Sequence, residues 1–445
     1  MIAHFRSLLQ RGRPWAQPGL VPRERGHLEG PTERWKVTLY TIVIAETLAM
    51  LGFMLSLPFL PFYIQQLGVT DLQQITFWVA VLNSVPTLTM AVAAPFWGVL
   101  ADRRGRKPML IRAMLGGSLV LSAMGFVTSV VQLTGLRVIE GTLTGTVTAA
   151  TTLVASNVPR ERTGYALGLL QAGIFVGSWL GPSLGGLIAG TFGYRVAFLT
   201  SGCMLLAAAV LTFFLVSEHF IPVRSRQRVG RSLSTSLREV RSDQVLLSMV
   251  LLLLMTNVVS YTSSPIFPLF VQTLVPDVNA AATMTGLILG LTAAMNTVGA
   301  LAFGRLGHRW SARRILWLSL AVTALTFLPQ GLAGRAWQLL VMRGLMGLAI
   351  GAVVPVANAA IAENCPEGHQ GGVFGISTSF NALGSAVGPW IGTFVVAAWN
   401  LPAVFPVTGV MVALMALGVV VWVPAHHPVD SAPRLKPLAA HDGKQ

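Results

Sequence analysis

The sequence predicts an all-α membrane protein in which twelve transmembrane helices form two six-helix bundles. Of its 445 residues, 53% are hydrophobic and 11% are charged, and the mean hydropathy is +0.67. A soluble chain of this length would carry more charge and form two or three domains. Charge-free runs recur instead, for example at 72–101, 278–304 and 371–429. Since a helix needs about 20 apolar residues to cross a bilayer, the longer runs hold two crossings each.

Apolar runs separated by turn signals define the twelve predicted spans. Spans 1 to 6 cover residues 36–65, 75–100, 109–129, 132–156, 163–191 and 196–217. Spans 7 to 12 cover residues 244–273, 281–304, 313–333, 336–361, 370–397 and 403–424. This gives an N-terminal arm at 1–34, a six-helix bundle at 35–217, a central loop at 218–243, a second bundle at 244–424 and a tail at 425–445.

Positive charge is concentrated on one side of the predicted membrane. An even number of spans places both termini on one side, and the arm, loops and tail of that side contain 27 of the 31 Lys and Arg residues. The positive-inside rule therefore predicts a multi-pass protein of the cytoplasmic (inner) membrane with both termini in the cytoplasm. The net charge of +15 then reflects topology and contact with anionic lipid headgroups, and no nucleic-acid partner is expected.

The polar segments outside the spans have no transmembrane character. The arm has arginines among prolines and glycines and lacks the apolar core of a signal peptide, so we expect a disordered cytoplasmic segment. Six arginines in the central loop are typical of an amphipathic segment on the inner leaflet. The two cysteines, Cys203 and Cys365, are poorly placed to form a disulfide, and no metal site is indicated.

The chain repeats itself at an offset of 206 or 207 residues. An offset of 206 places Gly98 on Gly304 and Arg137 on Arg343. An offset of 207 aligns two further groups, namely Pro58, Pro61 and Gln65 with Pro265, Pro268 and Gln272, and Gly177, Gly181 and Pro182 with Gly384, Gly388 and Pro389. Because each half has an even number of spans, the repeats are parallel, which predicts a substrate site between two rocking halves.

Three short motifs carry recognisable residue patterns. The hinge GVLADRRGRKPML has one at Gly98, Leu100, Ala101, Asp102, Arg103, Gly105, Arg106, Lys107 and Leu110, and it resembles the loop motif of the major facilitator superfamily. Span 4 is similar to the R-x-x-x-G motif at Arg137 and Gly141. Span 5 is similar to the exporter motif G-x-x-x-G-P-x-x-G-G at Gly177, Gly181, Pro182, Gly185 and Gly186. The resemblance extends from about Arg34 to Pro424 and is greatest to twelve-helix bacterial drug/proton antiporters, which implies efflux.

The hinge between spans 2 and 3 has two interpretations. Its glycines allow a tight turn, and Asp102 can accept hydrogen bonds from Arg106 or from an exposed helix N-terminus. The resemblance implies a conformational latch of Gly98, Asp102, Arg103, Gly105, Arg106 and Lys107, in which Asp102 meets the start of span 11 near Gly371. The alternative is a topology signal without a latch.

The span 5 motif indicates close helix packing. Gly177, Gly181 and Gly185 recur every fourth residue on one helical face, which permits close approach of a neighbouring backbone. Pro182 removes a backbone hydrogen bond and bends the helix. We therefore expect a packing role for this motif and no ligand contact.

Two acidic residues, Glu46 in span 1 and Glu140 in span 4, lie deep within predicted spans. Each costs about 2.5–3.5 kcal/mol at a helix centre, which argues for a use. Burial disfavours a charged carboxyl group and a nearby arginine favours it, and proton coupling requires this balance to change between two conformations. We expect Glu46, Glu140 and Arg137 to couple protons, with Glu46 preferred because its own helix has no nearby base. The alternatives are a structural Arg137–Glu140 pair and a solvated Glu46.

The predicted substrate cavity is largely apolar. Its candidate residues are Met50, Phe53, Asn257, Tyr261, Arg343, Phe380 and Asn381. Methionine and aromatic side chains adapt to ligands of different shape, which suits a broad exporter. Arg343 could meet an anionic group of a substrate. For all seven residues, packing against lipid or neighbouring helices is the alternative.

Together these features favour proton-coupled export of small lipophilic or amphipathic compounds by alternating access. Export or uptake of a specific sugar or metabolite on the same fold is the alternative. A receptor or membrane-embedded enzyme is disfavoured, because the sequence has no Walker-type loop, no H-E-x-x-H and no serine elbow. The expected partners are a small-molecule substrate, protons and the bilayer. We expect a monomer that needs no cofactor because the proton gradient drives it.

Overall fold

The computed structural model describes residues 31–218, 233–306, 310–365 and 370–423, and all regular structure within them is helical. Span 1 consists of Pro31–Ser56, a 3-10 turn at Leu57–Phe59 and the short helix Leu60–Gln66. The rest of the first half comprises Leu72–Arg104 (span 2), Arg106–Met124 (span 3), Val130–Leu143 with Thr146–Asn157 (span 4), a 3-10 turn at Arg160–Arg162, Thr163–Phe192 (span 5) and Tyr194–Leu215 (span 6).

The second half follows the same plan. The helix Leu233–Ser242, within the predicted central loop, precedes it. The spans are Gln244–Ser263 with Phe267–Leu274 (span 7), Val278–Leu306 (span 8), Ala312–Phe327 with a 3-10 turn at Leu328–Leu332 (span 9), Ala336–Ile350 with Val353–Asn364 (span 10), Gln370–Ala398 (span 11) and Val404–Trp422 (span 12). The first 30 residues, part of the central loop and the tail lie outside the described residues.

Eleven helices in the described residues are long and apolar enough to cross a membrane. The predicted third span is the helix Arg106–Met124, whose first two turns contain Arg106, Lys107 and Arg112. These charges make the helix less apolar, so it is not among the eleven. It nevertheless packs against span 6 within the first bundle. The predicted all-α membrane fold is therefore confirmed.

Four spans predicted as single helices are broken in the structure. Span 1 breaks before Pro58 and Pro61, and span 7 breaks before Pro268. Proline has no backbone N–H and favours the first turn of a new helix, so it divides a span at these sites. Span 4 breaks at Gly145, whose φ of +123° is readily adopted only by glycine. Span 10 breaks at the equivalent point, near Gly351.

Helix packing follows the sequence repeat. Span 5 packs against span 1 of its own half and span 8 of the other, and span 11 packs in the same way against spans 7 and 2. Spans 3 and 6 pair as spans 9 and 12 do, and spans 2 and 4 pair as spans 8 and 10 do. The two halves are therefore related by pseudo-symmetry, with spans 2, 5, 8 and 11 at their interface.

The two ends of the interface differ. We call the end that contains Pro31 and Trp422 the terminal side, and the other end the opposite side. On the opposite side the Gln65 and Gln272 side chains are hydrogen-bonded to each other, and Thr393 donates to the Thr76 carbonyl oxygen at 2.8 Å. On the terminal side, a Cβ built on Gly98, Gly168 or Gly375 would have no atom of the described residues within 4 Å. Among the described residues, the hydrogen bonds that join the two halves thus lie towards the opposite side, whereas these three glycines of the terminal side have open space beside them.

Candidate functional site

A cavity of about 530 Å³ lies between the two halves. Spans 1, 2, 4 and 5 line it from one half and spans 7, 8, 9 and 10 from the other. Its apolar wall is interrupted by hydroxyl and amide groups, among them Asn83, Thr87, Ser178, Ser260, Thr292 and Asn296. An apolar pocket with a few polar groups is typical of a small-molecule site.

The structure brings two of the seven predicted cavity residues, Tyr261 and Arg343, to the cavity wall. Asn257 and Asn381 instead join spans 7 and 11, since Asn257 Nδ2 donates to Asn381 Oδ1 at 3.2 Å. Met50 faces Gly177 of span 5 and Phe53 faces Gly117 of span 3. Phe380 packs against the buried core. In this conformation these five side chains pack against neighbouring helices or the core and do not line the cavity.

Several polar side chains that line the cavity were not predicted from the sequence. Asn83 of span 2 and Asn296 of span 8 both line the cavity. Both residues could have been predicted from the sequence, because an amide group inside a charge-free membrane span is costly unless it faces protein or water.

The Arg137–Glu140 pair forms as a buried salt bridge beside the cavity. Arg137 Nη1 lies 2.5 Å from Glu140 Oε2, and the two residues are 5% and 4% exposed. Arg137 Nε also donates to the carbonyl oxygen of Leu82 in span 2 at 2.8 Å. The guanidinium therefore neutralises Glu140 and joins spans 2 and 4.

Glu46 has a different environment. It is fully buried, and its Oε1 accepts a hydrogen bond of 2.9 Å from Thr146 Oγ1. Its Oε2 is buried and has no hydrogen-bond partner among the described residues. Thr146 directly follows Gly145, so the break in span 4 places this hydroxyl against span 1. Since no described residue gives it a cationic partner, burial makes the charged carboxylate costly in this conformation.

Arg343 of span 10 lies on the cavity wall and is 3% exposed. Its guanidinium carbon lies 4.2 Å from the ring centroid of Phe267, 5.5 Å from that of Phe327 and 5.8 Å from that of Phe405. Among the described residues, Arg343 Nε and Nη2 are buried without a hydrogen-bond acceptor. Aromatic faces stabilise a cation but cannot replace the hydrogen bonds that its N–H groups lose on burial.

The hinge residues join three helices on the terminal side. Gly105, with a φ of +96°, separates spans 2 and 3. Arg106 Nη1 donates to the Thr152 carbonyl oxygen at 3.0 Å, and Lys107 Nζ donates to that of Phe213 at 2.8 Å. The backbone N–H groups of Arg106 and Lys107 both donate to the carboxylate of Glu218 at 2.8 Å. An acidic side chain at a helix N-terminus stabilises the helix. This role of Glu218 was not predicted from the sequence.

The proposed latch contact itself lies outside the described residues. The Asp102 side chain and the surroundings of Gly371, at the start of span 11, are not part of the described structure. Arg103 lies exposed in the last turn of span 2, and Gly98 adjoins open space. The latch remains a prediction.

The span 5 motif packs against helices of both halves. A Cβ on Gly177 would lie 2.6 Å from the Thr47 carbonyl oxygen, and one on Gly181 would lie 3.1 Å from that of Leu51. Gly185 meets the Leu55 backbone, and a Cβ on Gly186 would lie 2.6 Å from the Ala282 carbonyl oxygen in span 8. Pro182 lies within the helix and lines the cavity.

The fold and the central cavity define a membrane transporter built from two pseudo-symmetric bundles. The family model of the Major Facilitator Superfamily matches residues 42–274 and 252–442. The chain belongs to the Major Facilitator Superfamily.

Curated relatives support the same family. The chain is 36% identical over 384 residues to the multidrug resistance protein MdtG of Serratia proteamaculans, covering 86% of this chain and 93% of that protein. The identity to MdtG of Yersinia enterocolitica is 35%, covering 86% of this chain and 92% of that protein.

Solved structures show the same fold at low sequence identity. The nucleoside transporter NupG has a TM-score of 0.71 at 12% identity, covering 86% of this chain and all of that chain (100%). A bacterial homolog of the human lysosomal transporter Spinster, in an inward-facing and occupied conformation, has a TM-score of 0.69 at 14% identity, covering 87% of this chain and 97% of that chain.

Proposed function

We propose that this protein exports small lipophilic or amphipathic compounds across the cytoplasmic membrane by proton-coupled alternating access. The observation that carries the proposal is the central cavity, lined by both halves, between bundles that are hydrogen-bonded to each other on the opposite side and have open space beside Gly98, Gly168 and Gly375 on the terminal side. Rocking of the halves about such a cavity exposes one site to each face of the membrane in turn.

The distribution of charge supports the orientation. The excess of Lys and Arg on the terminal side supports a cytoplasmic location for that side and for both termini. The cavity is then accessible from the cytoplasm, where an exporter collects its substrate. The name of the MdtG relatives, multidrug resistance protein, supports export and a broad range of substrates. We propose that the protein acts as a monomer, because each chain contains both halves of the cavity.

Glu46 is the proposed proton carrier. It is fully buried and one of its carboxylate oxygens has no partner in the described part of the chain, whereas Glu140 is held by Arg137. A carboxyl group without a cation can gain or lose a proton when its surroundings change, and a salt bridge opposes that change. One proton moving through 100 mV supplies about 2.3 kcal/mol, enough for a roughly fifty-fold substrate gradient.

The test is transport by purified protein in liposomes with an imposed pH gradient. We compare the parent with Glu46→Gln and Glu140→Gln, using several lipophilic fluorescent dyes. The parent is expected to move dye in proportion to the gradient, and Glu46→Gln is expected to bind dye but no longer respond to the gradient. Glu140→Gln is the matched control and is expected to retain coupling, because its amide oxygen can still accept from Arg137.

Two results would contradict the proposal. Transport by the parent that ignores the pH gradient for every dye would exclude proton antiport. Coupling that survives Glu46→Gln but is lost in Glu140→Gln would assign the proton to the other acid.

A further inference from the structure

We propose that Arg343 forms a subsite for the anionic group of an amphipathic ligand in the central cavity. The inference rests on the proposed function, and it adds a ligand class, carboxylates and similar oxyanions with an apolar body. Its basis is a buried guanidinium that lines the cavity and has no counter-ion among the described residues.

The two halves differ at this point of the repeat. Arg137 and Arg343 are 206 residues apart and occupy equivalent positions in spans 4 and 10. Glu140 neutralises Arg137, but the residue equivalent to Glu140 is Met346. Met346 lines the cavity beside Arg343. The second half has therefore kept the cation without its acid.

The chemistry of Arg343 favours an oxyanion. Its Nε and Nη2 are buried without an acceptor among the described residues, and its nearest ring is that of Phe267. A buried charge is costly unless it is paired and hydrogen-bonded. A carboxylate can accept two parallel hydrogen bonds from a guanidinium, which provides both the charge and the missing acceptors.

Arg112 shows that an unpartnered arginine alone does not make such a site. Its Nε and Nη1 also lack acceptors among the described residues, but its guanidinium carbon lies 3.5 Å from the ring centroid of Trp97. Arg112 is only half-buried and does not line the central cavity. Arg343 combines deep burial, missing acceptors and a position on the cavity wall.

The rest of the cavity suits the apolar part of such a ligand. Phe327, Ile350 and Met346 adjoin Arg343 in the lining, and serine hydroxyls of span 7 complete this region. A ligand with one anionic end could place that end at Arg343 and its apolar body among these side chains.

The experiment uses two probes with one fluorophore and opposite charges. Dansylglycine carries a carboxylate and dansylcadaverine an ammonium group. Binding is measured by dansyl fluorescence on the full-length protein in lipid nanodiscs, with empty nanodiscs subtracted. The variants are Arg343→Met, which removes the charge, and Met346→Glu, which restores the pairing seen at Arg137 and Glu140. Arg314→Met, an exposed position in the same half, is the matched control.

We expect both cavity variants to weaken dansylglycine binding by about tenfold or more, the size of a charged hydrogen-bonded contact. Dansylcadaverine affinity should change by less than about threefold or increase, because the removed interaction is specific for an anion. Arg314→Met should behave as the parent. If Arg343→Met does not fold, Met346→Glu decides the question, since it leaves the arginine in place.

Equal dansylglycine affinity in the parent and in the folded cavity variants would overturn the subsite and leave a packing role for Arg343. The absence of dansylglycine binding to the parent would also overturn it. Gradient-driven dansylcadaverine transport would leave the proposed function intact in either case. Arg343-dependent binding in a protein that transports neither probe would instead contradict the proposed function and support the subsite.

Discussion

Single residues show how the two bundles differ in spite of their common plan. Arg137 has an acid three residues along its helix and a carbonyl acceptor in span 2. Arg343 has three aromatic rings in place of these partners. The same residue type therefore belongs to a neutral pair in one half, and in the other half it is a cation without a counter-ion in the described part of the chain.

The Arg137–Glu140 pair should behave as a unit in unfolding experiments. Arg137→Met or Glu140→Met alone leaves a buried charge without its partner, so we expect a loss of about 3–5 kcal/mol in the free energy of unfolding. The double variant should lose much less, because both charges are removed together. Denaturation of the four proteins in mild detergent measures the coupling. Additive losses in the double variant would show that the two side chains act independently.

At the scale of helices, close packing depends on small residues at a few points. Lipid tails are as apolar as leucine side chains, so helices in a membrane associate mainly through close van der Waals contact. Gly185 allows span 5 to meet the backbone of span 1, and Gly186 allows it to meet span 8. One helix thereby packs within its bundle and across the interface.

Substitution by alanine distinguishes a glycine of span 5 that packs against another helix from one that has open space beside it. In Gly185→Ala the new methyl group would collide with the Leu55 backbone, which cannot move as a side chain can. We expect destabilisation of about 1–3 kcal/mol, typical of overpacking. Gly168→Ala adds a methyl group where no atom lies within 4 Å, and should be neutral or stabilising by up to about 1 kcal/mol through helix propensity. Thermal unfolding in detergent compares them, and equal effects would contradict the packing role.

At the scale of the whole molecule, hydrogen bonds between the two halves stabilise this conformation. The Gln65 and Gln272 side chains, related by the repeat, donate to each other at 2.9 and 3.2 Å on the opposite side. Ser84 of span 2 adds a bond of 2.6 Å to the carbonyl oxygen of Ala386 in span 11. Opening towards the opposite side requires these contacts to separate.

A cross-link on the opposite side should therefore stop transport. We replace Cys203 and Cys365 with alanine, introduce Gln65→Cys and Gln272→Cys, and join the two thiols with a short bifunctional methanethiosulfonate reagent. Dye transport in liposomes should fall to background after cross-linking and return after reduction, because the halves can no longer part. Single-cysteine variants treated with the same reagent are the controls. Transport that continues with complete cross-linking would show that this interface does not open.

The sequence predicted the positions of the helices better than the breaks within them and the contacts between them. The positions of the spans and the repeat follow from hydropathy and from offsets of 206 and 207 residues. The break at Gly145 was missed because glycine is common in membrane helices and its φ depends on the surrounding packing. The capping of span 3 by Glu218 was missed because it joins residues more than 100 positions apart.

By itself, the sequence determined that this is a membrane protein of duplicated helical bundles with its positive charge on one side. Those properties follow from composition and periodicity, which act locally along the chain. Only the tertiary structure decided which side chains share the cavity. Because these helices are apolar on nearly every face, the sequence does not show which face meets lipid and which meets the other half. Thus Asn257 joins two helices while Asn83 lines the cavity, although both are amides in apolar spans.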